Sequence, residues 1–96
     1  MAVNDIVTVV PTSVANNASL TLQPGAGAEW LIKNLYYGGA VEIYRTDGTN
    51  SIKIDSDGVA GGRFSASFLL TNASYMTIKN VSGVAAYISY DGLVTK

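Results

Sequence analysis

The sequence predicts a single all-β domain over residues 1–96, a β-sandwich of jelly-roll type with about eight short antiparallel strands. Three observations predict it. β-branched and aromatic residues gather in short runs, and Gly, Asn, Asp and Ser fill the breaks between them. No longer window keeps a helical period with capping residues at its ends. Ninety-six residues are enough for one domain. Because periodicity does not encode strand order, an immunoglobulin-like sandwich stays open as the alternative.

The strands follow the runs in chain order, and turn residues bound each of them. Pro24 ends the second strand, and Asp47-Gly48 tolerates the positive φ of a tight hairpin between the fourth and fifth. Residues 1–5 are a candidate N-terminal arm. The strands are predicted over residues 5–10, 19–23, 29–35, 40–46, 51–55, 63–71, 74–80 and 84–90, with a last extended piece over 93–95.

A weak internal repeat suggests which faces are buried. Ile32-Lys33-Asn34 recurs as Ile78-Lys79-Asn80, and each copy is followed by a Gly-containing turn, an apolar strand and Asp-Gly. The similarity is either chance among Asn- and Gly-rich hairpins or a sign of two equivalent halves, each one β-hairpin. In the second copy Met76 and Ile78 alternate with polar residues and therefore point inward. The predicted core is Leu20, Leu22, Trp30, Ile32, Ile43, Ile52, Ile54, Phe64, Ala66, Phe68, Leu70, Met76, Ile78 and Ile88.

Several large apolar side chains remain outside this core and are candidates for a protein interface. Single surface aromatics are common in sandwiches, but a cluster of them marks a contact site. Only 14% of the residues are charged, against about 25% in most soluble domains. Either the surface is neutral and polar, or other subunits cover part of it. The candidate interface residues are Leu31, Tyr44, Leu69 and Tyr87 on the outward face, with Tyr36 and Tyr37 at the tip of a turn.

The composition argues against an enzyme, a metal site and a cofactor. The chain has neither His nor Cys, the residues that most often act as general bases, activated nucleophiles and zinc ligands. No Gly-rich loop stands between a strand and a helix, as a nucleotide phosphate would require. Asp55 and Asp57 are a possible carboxylate pair or a partial calcium loop, but the adjoining glycines favour a turn.

Charge and hydropathy restrict the partners. The six basic and seven acidic residues are scattered along the chain, so no basic patch is available for nucleic acid or for a membrane surface. We expect no signal peptide and no membrane span, and therefore synthesis in a cytoplasm. A carbohydrate is the best small-ligand hypothesis, because Trp30, Tyr36, Tyr37 and Tyr90 are of a type that stacks on sugar rings. Trp30 on a core face is the argument against it.

Two segments, WLIKNLYYGGAVEIYRTDGTNSIKID and YMTIKNVSGVAAYISYDG, resemble small virion proteins of tailed bacteriophages. The resemblance is to capsid decoration (cement) proteins and head-fibre proteins. It implies a sandwich or jelly roll that forms homotrimers, binds the major capsid protein on the outer capsid surface and stabilises the head. Location in the virion, after synthesis in the host cytoplasm, is then expected. The alternatives are a tail-fibre or baseplate component, a carbohydrate-binding receptor-recognition domain, and a lectin-like domain outside any virion.

Overall fold

The computed structural model describes residues 2–96, which form a sandwich of two antiparallel sheets. Within that range no helix is long and apolar enough to cross a membrane. The strands are β1 (Ile6–Val14), β2 (Ser19–Leu22), β3 (Glu29–Tyr37), β4 (Val41–Thr46), β5 (Ser51–Asp57), β6 (Gly61–Arg63), β7 (Phe68–Thr71), β8 (Tyr75–Asn80) and β9 (Ala86–Val94). The prediction of an all-β sandwich is confirmed.

The strand order is that of a jelly roll. The first sheet has the order β1-β9-β3-β6, with β7 also paired to β3, and the second has the order β2-β8-β4-β5. Strands β1 to β4 alternate between the two sheets, as they do in jelly rolls. β6 and β7 share one edge position beside β3, because residues 64–67 interrupt what the sequence predicts as one strand.

The predicted hairpins of the internal repeat are wrong. β3 pairs with β9 and β4 pairs with β8, so the two strands of each repeat unit lie in different sheets. The Asp47-Gly48 hairpin between β4 and β5 is present, with Gly48 at a φ of 94°. Oδ1 of Asp47 accepts hydrogen bonds from the backbone N–H groups of Thr49 and Asn50. Asp91-Gly92, its counterpart in the repeat, lies inside β9 and forms no turn.

The core lies between the sheets and contains most of the side chains predicted for it. Leu22, Ile32, Ile43, Leu70, Met76, Ile78 and Ile88 are fully buried, and Leu20, Trp30 and Phe68 pack against them from partly buried positions. The rings of Trp30 and Tyr90 stack with their centroids 6.4 Å apart. Val7, Val14, Leu35, Tyr37, Val41, Tyr90 and Val94 complete the core.

Three predicted core residues are exposed instead. Ile52 and Ile54 lie on β5, an edge strand whose register with β4 slips at Ile54, so that Ile43 faces Asp55. Ile54 is the extra residue of this bulge, and Ile52 is opposite Arg45 near the end of the edge strand, so the alternation of β5 does not predict which of its side chains are buried. Phe64 is exposed because it lies in the break between β6 and β7.

A second bulge, in β3, shapes the first sheet. Ile32 pairs with Gly92 and Asn34 pairs with Asp91, so Lys33 is the extra residue. A Cβ at Gly92 would collide with the carbonyl oxygen of Leu31 and lie 2.7 Å from Cα of Ile32. Glycine at position 92 therefore allows the two backbones to approach closely at the bulge.

The N-terminal residues are joined to the last strand. The backbone N–H of Asn4 donates to the carbonyl of Val94 at 2.7 Å, and the N–H of Val94 donates to the carbonyl of Asp5 at 2.9 Å. Met1 lies outside the described residues. A role for residues 1–5 as an arm against a neighbouring molecule stays a prediction.

Candidate functional site

The structure divides the six predicted interface residues among three places. Four of them lie on the outer face of the first sheet, because each lies between two inward-pointing neighbours along its strand: Leu31, Tyr36, Leu69 and Tyr87. Tyr44 is half-buried on the outer face of the second sheet. Tyr37 points into the core. The outer face of the first sheet is therefore the candidate site.

One end of this face carries a line of aliphatic side chains, here called the aliphatic row. Ile6 pairs with Leu93, Leu93 pairs with Leu31, and Leu31 pairs with Leu69, so the row crosses β1, β9, β3 and β7. Directly opposed side chains have Cβ atoms roughly 4.5–5.5 Å apart, which makes the row continuous. Ile6 is 71% exposed and Leu69 63% exposed, and Leu31 is half-buried between its neighbours.

The next line of side chains is polar and is here called the polar row. It runs from Thr8 through Asp91 to Asn34. Nδ2 of Asn34 donates to Oδ1 of Asp91 at 2.6 Å, and the hydroxyl of Tyr36 donates to Oδ2 at 2.7 Å. The N–H of Ser65 donates to Oδ1 of Asn34 at 3.1 Å. The hydrogen bond to Asp91 raises the pKa of Tyr36 above its usual value, because ionisation would remove the donated proton.

Beyond the polar row, Pro11, Tyr36 and Tyr87 line a hollow together with Ser89, and Phe64 packs against Tyr36. The region made of Pro11, Tyr36, Phe64 and Tyr87 is here called the aromatic end. The rings of Tyr36 and Phe64 are 5.7 Å apart between centroids. Phe64 folds over Gly62, where an added Cβ would lie 2.8 Å from Cζ of the ring.

Two open hollows occur along β9 on this face. One, of about 220 Å³, is lined at the aromatic end by Pro11, Tyr36, Tyr87 and Ser89 among others. The other, of about 400 Å³, is lined by Ile6, Thr8, Lys33, Asn34, Asp91, Gly92 and Leu93. The hydrogen bond from Tyr36 to Asp91 joins a wall of the first hollow to a wall of the second.

Tyr37 is a correction to the predicted interface. It is only 4% exposed, and its hydroxyl donates to Oδ2 of Asp57 at 2.8 Å. Burial first, and then this hydrogen bond, raise the pKa of Tyr37 to about 12. The bulge at Lys33 is the physical reason, because it reverses the alternation of β3 and turns Leu35 and Tyr37 inward.

Tyr37 belongs to a polar cluster between the sheets, here called the inter-sheet clasp and made of Tyr37, Asp55, Asp57 and Arg63. Nε of Arg63 lies 2.6 Å from Oδ2 of Asp55, and its Nη1 lies 3.4 Å from Oδ2 of Asp57. The hydrogen bond from Arg63 lowers the pKa of Asp55, and chiefly the bond from Tyr37 lowers that of Asp57. Both carboxylates lie on β5, which continues to Asp57, two residues past the predicted end of this strand.

Tyr44 is separated from the other candidates by the thickness of the sandwich. Its hydroxyl donates to Oε1 of Glu42 at 2.6 Å, and Nζ of Lys53 lies 3.5 Å from Oε2 of the same carboxylate. These bonds raise the pKa of Tyr44 and lower that of Glu42. Tyr44 therefore cannot form one contiguous patch with Leu31 and Tyr87.

The aromatic set predicted to stack on sugars is wrong as a set. Trp30, Tyr37 and Tyr90 belong to or pack against the core, and Tyr36 alone lies on the outer face. Sequence reasoning also missed Ile6, Leu93, Asn34 and Asp91, whose proximity depends on the pairing of β9 with β1 and β3. Across residues 2–96 no group of three or more His, Cys, Asp or Glu side chains is placed to hold a metal ion.

Comparison with known proteins identifies a shared fold. No family model matches the chain, and no curated protein matches it. Among solved structures it is similar to the Drosophila NLP core, whose crystal structure is reported to give insight into pentamer formation and histone binding. The TM-score is 0.54 at 17% identity, over 95% of this chain and 98% of that one. At this identity the likeness concerns the fold alone.

Proposed function

We propose that the chain is a non-enzymatic structural protein of a phage virion, which forms homo-oligomers and decorates the outer surface of the capsid. The observation that carries this proposal is the aliphatic row on the outer face of the first sheet. Ile6 and Leu69, at its two ends, are 71% and 63% exposed. Residues 30–55 and 75–92 resemble capsid decoration proteins, and this resemblance favours the capsid as the structure to which the chain binds.

The row has the properties of a contact surface. Covering apolar surface contributes about 25 cal/mol per Å² removed from water, so a continuous row gains more from a flat partner than scattered residues do. Its side chains project from four hydrogen-bonded strands, which fix their positions before binding. A surface that is ordered in advance loses little conformational entropy when a partner covers it.

The resemblance favours a trimer that binds the major capsid protein. The Drosophila NLP core, which shares the fold, is associated with pentamer formation. This supports the proposal that a sandwich of this kind assembles into a closed ring of identical chains. Histone binding is not carried over to this chain. Its formal net charge is only −1, whereas a basic partner calls for a strongly acidic surface.

Self-association is tested by placing a charge in the aliphatic row. Leu69→Lys is compared with Val84→Lys, since the two positions are 63% and 67% exposed and Val84 lies outside the row. We expect the wild-type chain to have a light-scattering mass that is a multiple of 10.0 kDa. Leu69→Lys should shift the mass toward one chain, and Val84→Lys should not. A monomeric wild-type chain at high micromolar concentration would contradict the homo-oligomer.

Location in the particle tests decoration. Purified chain is added to capsids of its phage prepared without it, and the complexes are examined by immunogold electron microscopy. Labelling of the heads that Leu69→Lys abolishes and Val84→Lys preserves supports the proposal. Labelling of tails alone would overturn capsid decoration and indicate a tail-fibre or baseplate component. In that component the aliphatic row would be a contact surface with other tail proteins.

A further inference from the structure

We propose that the polar row and the aromatic end together form a binding site for a neutral carbohydrate. The site adjoins the aliphatic row on the same face, and Ile6 and Leu93 of the row also line its larger hollow. It goes beyond the proposed function because its ligand is a sugar. Its residues differ from the aromatic set that the sequence suggests, with Tyr36 common to both. Asn34, Asp91 and Tyr87 are the additions that matter.

Asp91 supplies a fixed hydrogen-bond acceptor. Asn34 and Tyr36 each donate to a different carboxylate oxygen, at 2.6 and 2.7 Å, so the side chain is held in one orientation. Each carboxylate oxygen can accept more than one hydrogen bond, which leaves capacity for sugar hydroxyls. Because the side chain is already ordered, binding costs little of its conformational entropy.

The aromatic end supplies the apolar half of the site. A pyranose ring presents C–H groups on its faces and hydroxyls around its edge. Tyr87 is 64% exposed on β9, and Tyr36 lies on the neighbouring strand β3 beside Ser89. A tyrosine ring offers a flat apolar face with a polar tip, which matches such a ligand. The ring of Tyr36, whose hydroxyl donates to Asp91, therefore complements both parts of one sugar, and Tyr87, four residues from Asp91 along β9, offers a ring to the next sugar unit.

Size and charge favour a neutral chain of more than one sugar unit. The larger hollow, of about 400 Å³, falls within the range of roughly 300–1,000 Å³ that is usual for small-molecule sites. Lys33 and Asp91 both line it, and their opposite charges give an ion of either sign no net advantage. The smaller hollow adjoins it through Tyr36, so two consecutive sugar units could occupy the pair.

The test is an amide NMR titration of the full chain with neutral hexasaccharides of glucose, galactose, mannose and N-acetylglucosamine. We expect one of them to shift the backbone signals of Tyr87, Ser89 and Asp91 and the side-chain amide of Asn34. Tyr87→Ala should weaken that affinity at least about tenfold, since it removes a stacking ring. Val84→Ala, at a 67% exposed position outside both the aliphatic row and the sugar site, is the matched control and should leave the affinity unchanged.

Two results would overturn the site. One is the absence of shifts with all four hexasaccharides at millimolar concentration. The other is binding that survives both Tyr87→Ala and Asp91→Asn in proteins whose amide spectra remain native. The outcome is separable from that of capsid decoration, because Leu69→Lys is expected to impair assembly and retain the sugar, while Tyr87→Ala is expected to do the reverse.

Discussion

Nε of Arg63 lies 2.6 Å from Oδ2 of Asp55, and this ion pair joins β6 of the first sheet to β5 of the second. A second arginine links the sheets elsewhere, where Nη2 of Arg45 on β4 donates to the carbonyl of Leu69 on β7 at 2.6 Å. Backbone ladders hold strands together within a sheet only. Polar contacts between the sheets therefore add directional restraints to the non-directional packing of the core.

Removing Arg63 should weaken the inter-sheet clasp. We expect Arg63→Ala to lower the free energy of unfolding by about 1 kcal/mol, the upper part of the range for exposed ion pairs, because its side chain is one-third exposed and water screens the charges. Urea denaturation measures the change. Lys53→Ala is the control, since its Nζ lies 3.5 Å from Glu42 and the side chain is half-exposed. An equal or larger loss in that control would contradict a special role for Arg63.

The buried phenol of Tyr37 should make the fold sensitive to alkali. Folding raises its pKa from 10.0 to about 12, so the folded state favours the protonated form. This contribution to stability is fully present below about pH 10 and is lost as the pH rises toward 12. We compare the urea midpoints of Tyr37→Phe and wild type at two pH values. The midpoint of the variant minus that of wild type is expected to be larger at pH 11 than at pH 8. A difference between the two proteins that does not change with pH would contradict the assignment.

Regular central strands could be predicted from the sequence, because their inward residues alternate without interruption. Met76 and Ile78 lie on β8, which has neighbours on both sides and no bulge, and both are fully buried as predicted. The alternation also predicts Leu31 and Leu69 outside the core, and both lie in stretches of regular pairing, since Leu31 precedes the bulge at Lys33. A local pattern is sufficient where the pleat is regular.

Bulges and strand order could not be predicted, because they depend on residues far apart in the chain. Lys33 is the extra residue of a bulge because its neighbours Ile32 and Asn34 pair with consecutive residues of β9. The sequence of β3 alone does not mark the point where its alternation reverses. The predicted strand ends at Leu35, whereas β3 continues past the bulge to Tyr37 and turns this side chain inward. The aliphatic row likewise requires β9 to lie between β1 and β3, so Ile6 and Leu93 gave no local sign of their proximity to Leu31.

Asn80 is expected to be the most sensitive polar residue of the core. It is fully buried, and its Nδ2 donates to the carbonyls of Val14 and Val84 at 2.8 and 2.7 Å. Its Oδ1 accepts from the N–H and the hydroxyl of Ser82. Asn80→Ala leaves buried groups without partners and should cost about 2–3 kcal/mol in urea denaturation. Asn72→Ala, at an exposed position with one such bond, should cost less than about 1 kcal/mol.

Gly92 should tolerate no side chain, because the bulge of β3 brings backbone against it. A Cβ there would lie 2.7 Å from Cα of Ile32 and still closer to the carbonyl oxygen of Leu31. These are backbone atoms in the middle of a sheet, and they cannot move aside as the end of a flexible side chain can. We expect Gly92→Ala to cost about 3 kcal/mol or more, measured as the shift in urea midpoint at constant slope. Gly58→Ala is the matched control, since a Cβ there meets no atom within 4 Å and the change should be close to neutral. If both variants unfold at the same urea concentration as wild type, Gly92 is not what permits the close approach of β9 to β3.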